Sequence, residues 1–214
     1  MPSRSLSSAL TLAGLVLSCP ATAESVSAEA VAQRVEAQHA GLRSLTADFV
    51  QVYRSGALGR EITERGSLAI RRPGRMRWEY RAPDHKLFVC DGQTAYFYVP
   101  EDRQVTVKQI EGSEGLAFRL LLGDLKLREE FTVALDADHA RARTRLVLTP
   151  REPNAEVARL SLDLDASYRI VGIEITDLEG NRSGFTFDRL RENPSLPDNL
   201  FTFSIPDGVE VLGG

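Results

Sequence analysis

The chain has 214 residues, 43 % hydrophobic and 26 % charged, with 26 basic against 30 acidic side chains and a formal net charge of −4. That mildly acidic balance argues against a nucleic-acid partner. The length suffices for one domain with a sizeable core, and no Gly/Ser-rich linker, composition break or internal repeat points to a second.

Met1–Ala23 reads as an export signal: Arg4 gives a positive start, Leu6–Leu17 is mostly apolar, and Ala21-Thr22-Ala23 is a small-x-small cleavage site. The apolar run is shorter than the roughly 20 residues a membrane span needs. Lipidation at Cys19 is the alternative, but Ala-Thr-Ala is the cleaner site and Pro20 sits awkwardly beside Cys19. The expected mature protein is therefore a single exported domain, residues 24–214, beginning at Glu24. Cleavage leaves Cys90 alone, inside an apolar strand, where it serves as a small buried hydrophobe.

Ser27–Leu45 has the pattern of an amphipathic helix, with Ser27 as N-cap, Val31, Val35 and Leu42 on one stripe, and Gly41 at a fraying end. Leu45–Tyr53 turns to strand spacing, with Leu45, Ala47, Phe49 and Gln51 on one face, and 55–59 is a loop. From Gly66 to Val107 the chain reads as an antiparallel meander. Leu68 and Ile70 share a face, as do Met76, Trp78 and Tyr80, while Arg75, Arg77, Glu79 and Arg81 form a solvated outer face. Pro73-Gly74, Asp91-Gly92 and Pro100-Glu101-Asp102 mark its turns.

The strand rhythm breaks over 112–123, where Leu116, Leu120 and Leu121 fit a short helix stopped by Gly123. Strands follow at Phe131–Leu135, Arg145–Leu148, Val157–Leu164, Tyr168–Thr176, Gly184–Leu190 and Phe201–Ile205. The class is α+β: a strongly curved antiparallel sheet or incomplete barrel, with helices over its concave side.

No catalytic constellation stands out. His39, His85 and His139 lie on different elements without metal-ligand spacing, and phosphate-cradling and nucleophile-elbow motifs are absent. Asp163 and Asp165 are paired carboxylates on an outward strand face. No catalytic residue, metal site or cofactor is predicted. The surplus lies in apolar and aromatic residues, among them Phe49, Met76, Trp78, Tyr80, Phe88, Phe97, Phe185 and Phe187. These residues suit a filled core or an apolar cavity between sheet and helices; spacing alone does not separate the two.

Three stretches resemble one family. Arg72-Pro73-Gly74-Arg75-Met76-Arg77-Trp78-Glu79-Tyr80, with Pro83, Asp91-Gly92 and Tyr98, is similar to the central signature of the periplasmic outer-membrane lipoprotein carriers, the LolA family. Leu120–Leu125 resembles that family's short helical segment, and Phe201–Val211 its closing strand. The resemblance implies an incomplete β-barrel closed by a helical lid over a cavity for lipoprotein acyl chains. It implies acyl-cavity lining by Phe49, Leu68, Ile70, Met76, Trp78, Tyr80, Phe97, Leu120 and Leu121, and a lid latch at Arg72. Met76 stands where the family often has an aromatic residue. The implied partners are acylated lipoproteins as cargo, an inner-membrane lipoprotein-releasing ABC transporter and an outer-membrane receptor, with a monomeric carrier in the periplasm. The alternatives on the same fold are a lipid- or lipoprotein-sensing regulatory protein, a fixed lipoprotein receptor, and a carrier of another periplasmic acyl lipid. A sensor would be expected to carry a second, partner-binding domain, and lipidation at Cys19 would mark the receptor.

Overall fold

The computed structural model describes residues 26–110, 119–120, 126–136, 144–154 and 156–213. The expected leader, most of the helix predicted over 112–123, and His139 lie outside the described residues; Arg119 and Leu120 are helical. Helix α1 (Ala28–Ala40) comes first. Strands β1 (Ser44–Arg54), β2 (Glu61–Arg71), β3 (Arg75–Ala82), β4 (Lys86–Asp91), β5 (Thr94–Val99) and β6 (Gln104–Gln109) follow. A one-turn helix, α2 (Leu127–Glu130), precedes β7 (Phe131–Leu135), β8 (Thr144–Pro150), β9 (Arg159–Leu164), β10 (Ile170–Thr176) and β11 (Arg182–Glu192). A 3₁₀ turn at Asp198–Phe201 and β12 (Glu210–Gly213) complete the chain.

The strands form one twelve-stranded sheet in the order β12-β6-β5-β4-β3-β2-β1-β11-β10-β9-β8-β7. Chain neighbours pair antiparallel throughout the meander, and β1 closes onto β11. The edges β12 and β7 do not pair with each other, so the sheet is a strongly curved, open barrel. Register shifts between Thr46 and Asp48, Arg65 and Gly66, and Ile170 and Gly172 add local bend and twist. Gly66 sits at one of them for a steric reason. A Cβ there would lie 1.9 Å from the Glu79 carbonyl oxygen and 2.7 Å from the Phe49 ring. Only glycine lets β3 and the Phe49 ring approach β2 so closely.

Two expectations need correction. The helix ends at Ala40, not Leu45: Gly41 is the C-cap, the Leu42 N–H bonds the His39 carbonyl at 3.1 Å, and Ser44 already pairs with Arg71. Phe201–Ile205 is not a strand. Phe201 closes the 3₁₀ turn and 202–206 has no ladder; the last strand is β12, paired parallel with β6. The alternation of Phe201 and Phe203 reflects burial rather than pairing. Phe201 is fully buried, and the Phe203 ring lies 5.4 Å from Tyr96 and 5.5 Å from Tyr98.

The sheet therefore has two apolar faces. On the concave side, Phe49, Leu68, Ile70, Met76, Trp78 and Cys90 join Leu146, Leu160, Leu162 and Ile173, with Val31, Ala32 and Val35 of α1 packed over them. On the outer side, Leu87, Val89 and Val105 are buried, and the 3₁₀ turn within residues 194–206, a strap, lies against β3 and β4.

Candidate functional site

The concave face is built by register. Leu68 stands opposite Trp78, Ile70 opposite Met76, and Met76 opposite Cys90. Period-2 geometry then places all of them on the side that α1 covers. The Trp78 ring is 5.0 Å from Phe49, 5.2 Å from Phe185 and 6.4 Å from Phe187, and stacks on Tyr80 at 6.5 Å. Phe49 meets Tyr80 edge-on at 5.0 Å. This aromatic floor continues into the aliphatic wall of β8 to β10 as one apolar surface.

One end of that floor is polar. The Tyr80 hydroxyl donates to Gln51 Oε1 at 2.8 Å, and Gln51 Nε2 donates to Ser183 Oγ at 2.8 Å. Lys86 Nζ pairs with Glu64 at 2.6 Å and lies 5.6 Å from the Tyr80 ring centre. Burial, reinforced by the Glu64 charge, pushes the Tyr80 phenol well above its usual range. Tyr80 is a neutral hydrogen-bond donor at any physiological pH.

Among the described residues, α1 and Leu120 cover this floor. Helix α1 starts at Ser27, whose hydroxyl accepts from the Ala30 N–H at 3.2 Å. It buries only Val31, Ala32 and Val35, three small side chains. The rest of its attachment is polar and lies at the rim. Arg34 donates to the Tyr168 hydroxyl and covers its ring at 4.9 Å. Glu36 receives the Arg128 Nε at 2.8 Å and the Arg128 backbone N–H at 3.1 Å, and Gln38 donates to Glu192 at 3.3 Å. Exposed and half-exposed pairs of this kind contribute about 1 kcal/mol or less each. Between α1 and the sheet lies a space of about 20 Å³, lined by Leu42, Leu45, Leu68, Leu120, Ile170 and Phe187 among others. A second, of about 70 Å³, lies among Val35, His39, Leu120, Leu127 and Ile170. The smaller holds about one water.

Of the residues predicted to line a cavity, Phe49, Leu68, Ile70, Met76, Trp78 and Tyr80 come together on the concave face, and Leu120 packs against them from above. Phe97 is on the same side, opposite Phe88, but 40 % exposed at the margin. Leu121 lies outside the described residues. Arg72 follows β2 two residues after Ile70; its backbone N–H bonds the Arg43 carbonyl at 2.9 Å and its Nη2 is buried. The residue that sequence reasoning passes over is Arg71. It points to the outer face, donates to the Leu196 carbonyl at 2.8 Å, pairs with Asp198 and lies 5.0 Å from the Phe201 ring centre. Its signal is present in the pattern, since Arg71 alternates away from Ile70, but its partners are more than a hundred residues downstream. The carboxylates Asp163 and Asp165 do not act together: each holds its own arginine, Arg145 at 2.7 Å and Arg169 at 2.7 Å. Cys90 is fully buried and its thiol donates to the Gly74 carbonyl at 3.0 Å. No cluster of metal-ligating side chains occurs among the described residues.

Residues 40–204 match the sequence profile of the outer membrane lipoprotein carrier protein family, LolA. The chain belongs to this family. An outer-membrane lipoprotein carrier protein of Cupriavidus pinatubonensis is 31 % identical over 176 residues, covering 80 % of this chain and 82 % of its own. One from Legionella pneumophila strain Lens is 33 % identical over 174 residues, covering 80 % and 84 %. Among solved structures, an uncharacterized conserved protein from Thermus thermophilus superposes with a TM-score of 0.54 at 13 % identity, over 87 % of this chain and 99 % of that one. The last similarity is one of fold alone. In this LolA-family member, the family match spans the meander, the concave face and most of the strap together.

Proposed function

We propose that the protein is a periplasmic lipoprotein carrier, not an enzyme, that shields acyl chains on the concave face and shuttles lipoproteins from the inner to the outer membrane. The observation that carries this reading is a continuous aromatic and aliphatic floor under a helix that buries three small side chains, in a chain of the lipoprotein carrier family. Each exposed methylene costs about 0.8 kcal/mol, so an acylated anchor needs cover to cross water. A lid held by rim contacts lets that cover open and reclose without unfolding the sheet. The cargo source is an inner-membrane lipoprotein-releasing ABC transporter and the destination an outer-membrane receptor. Export proceeds through cleavage after Ala23.

Arg72 is the latch of the closed form. A guanidinium whose Nη2 is buried favours carbonyl acceptors in the cover above it, and a charged donor of this kind stabilises closure by about 1.5–3 kcal/mol. A two-step transfer assay, from donor membranes to carrier and from carrier to acceptor, tests both ideas. Arg72→Leu is expected to load cargo at least as well as wild type and to fail in handing it on, whereas Arg77→Leu on the outer face transfers normally. Equal delivery by wild type and Arg72→Leu would remove the latch, and failure of wild type to take up any lipoprotein would remove the carrier.

A further inference from the structure

Trp78 is buried to more than nine-tenths on the concave face, and its indole Nε1 is a buried donor with no hydrogen-bond acceptor among the described residues. Buried polar atoms in native proteins nearly always find a partner, so an orphaned donor at this place asks for an explanation. Packing does not supply one. The neighbours of the indole are Phe49, Phe185 and Phe187, and a phenylalanine at 78 would join that set without stranding an N–H. Tyr80, which stacks on the indole, belongs to a polar pair of its own. Tyr80 gives its hydroxyl proton to Gln51, and Gln51 bonds Ser183. We propose that the Trp78 indole N–H receives the carbonyl that joins an acyl chain to its headgroup when this face is loaded.

The ligand class follows from the surroundings and rests on the carrier reading above. An acyl chain brings apolar surface and one kind of acceptor, the carbonyl of its ester or amide linkage. A neutral carbonyl suits a neutral indole donor. A free fatty carboxylate would need a cation, and Lys86, the cation beside Tyr80, is engaged by Glu64 at 2.6 Å. The aromatic floor takes the first methylenes of the chain, and the carbonyl lies over the indole edge. The donor discriminates acylated lipids from alkyl ethers of the same length, because an ether lacks the carbonyl oxygen and its remaining oxygen is a weaker acceptor set elsewhere along the chain.

The protein carries one tryptophan, so its intrinsic emission reports this site directly. The full mature chain is titrated with a short-chain diacylglycerol, with its dialkyl ether analogue, and with an N-acyl amide of the same chain length. The ester and the amide are expected to shift and quench the indole emission and to bind about tenfold tighter than the ether, the value of one hydrogen bond. Trp78→Phe, read by displacement of a fluorescent fatty-acyl probe, should bind all three lipids with the affinity the ether has for wild type. Benzothienylalanine at position 78 replaces the N–H with sulfur at nearly unchanged shape and should behave like Trp78→Phe, which separates the hydrogen bond from packing. If ester and ether bind wild type equally, or either variant keeps the preference, the inference is overturned while the carrier reading stands. If no lipid binds, both fall.

Discussion

The two faces of the same strands are covered in different ways. The outer face of β3 to β5 lies under the strap, which sinks Phe201 completely, sets Phe203 against two tyrosines and ties Asp198 to Arg71 and Arg75. Its root is fixed as well: the Ser44 hydroxyl donates to the Pro194 carbonyl at 2.6 Å, and Asn193 accepts from the Arg43 N–H at 2.7 Å. The concave face is more aromatic, yet among the described residues α1 buries only two valines and an alanine there, beside Leu120 and ion pairs at the rim. A large aromatic side chain buried against the sheet makes a permanent cover. Small aliphatic contacts with polar edges make a removable one.

The strongest way to break this contrast is to unseat the strap. Phe201→Ala should cost about 3–5 kcal/mol, the range for deleting a fully buried phenylalanine. The melting temperature should then drop by about 10 °C. On the other face, Val35→Ala removes two methyl groups from the lid and should cost about 1.5 kcal/mol. It should also raise acyl-probe binding, because the closed, empty form is what it weakens. Both measurements combine thermal unfolding with probe titration. Opposite behaviour, with Phe201→Ala raising binding and Val35→Ala leaving it unchanged, would exchange the roles of the two covers.

The smallest effect is electrostatic. The hydrogen bond and charge of Arg71, helped by Arg75, hold the Asp198 carboxyl below its usual range. A carboxyl depressed in the folded state contributes its stability above its ordinary value and loses it as pH falls through the depressed one. The difference in melting temperature between wild type and Asp198→Asn should therefore be constant from about pH 5 to 8 and vanish in stronger acid. A difference that grows toward neutral pH would point to another group.

Much of this architecture is legible in the sequence because alternation fixes strand faces. Period 2 places Leu68, Ile70, Met76, Trp78 and Tyr80 on one side, and the observed pairings put them there. The same rule fails at Phe201 and Phe203, where alternation arises from a strap lying on a sheet instead of a strand within it. The roles of Arg71 and Asp198 are hidden by distance along the chain, since one lies at the end of β2 and the other in the 3₁₀ turn. Gly66 illustrates a third limit. Its meaning depends on the Glu79 carbonyl and the Phe49 ring, whose approach only the folded sheet reveals. How few residues α1 buries is equally invisible, because Val31 and Val35 look the same in a sequence whether they are a helix's main anchorage or a fraction of it.

The central claim is that the concave face opens while the outer face does not. Amide hydrogen exchange of the mature chain, followed by mass spectrometry with and without bound lipoprotein, tests it most directly. Loading should speed exchange in Ala28–Ala40 and protect the concave strands β1 to β3 and β11, while residues 194–206 exchange at the same rate in both states. Unchanged protection of α1 on loading, or a strap that loses protection along with it, would contradict the account.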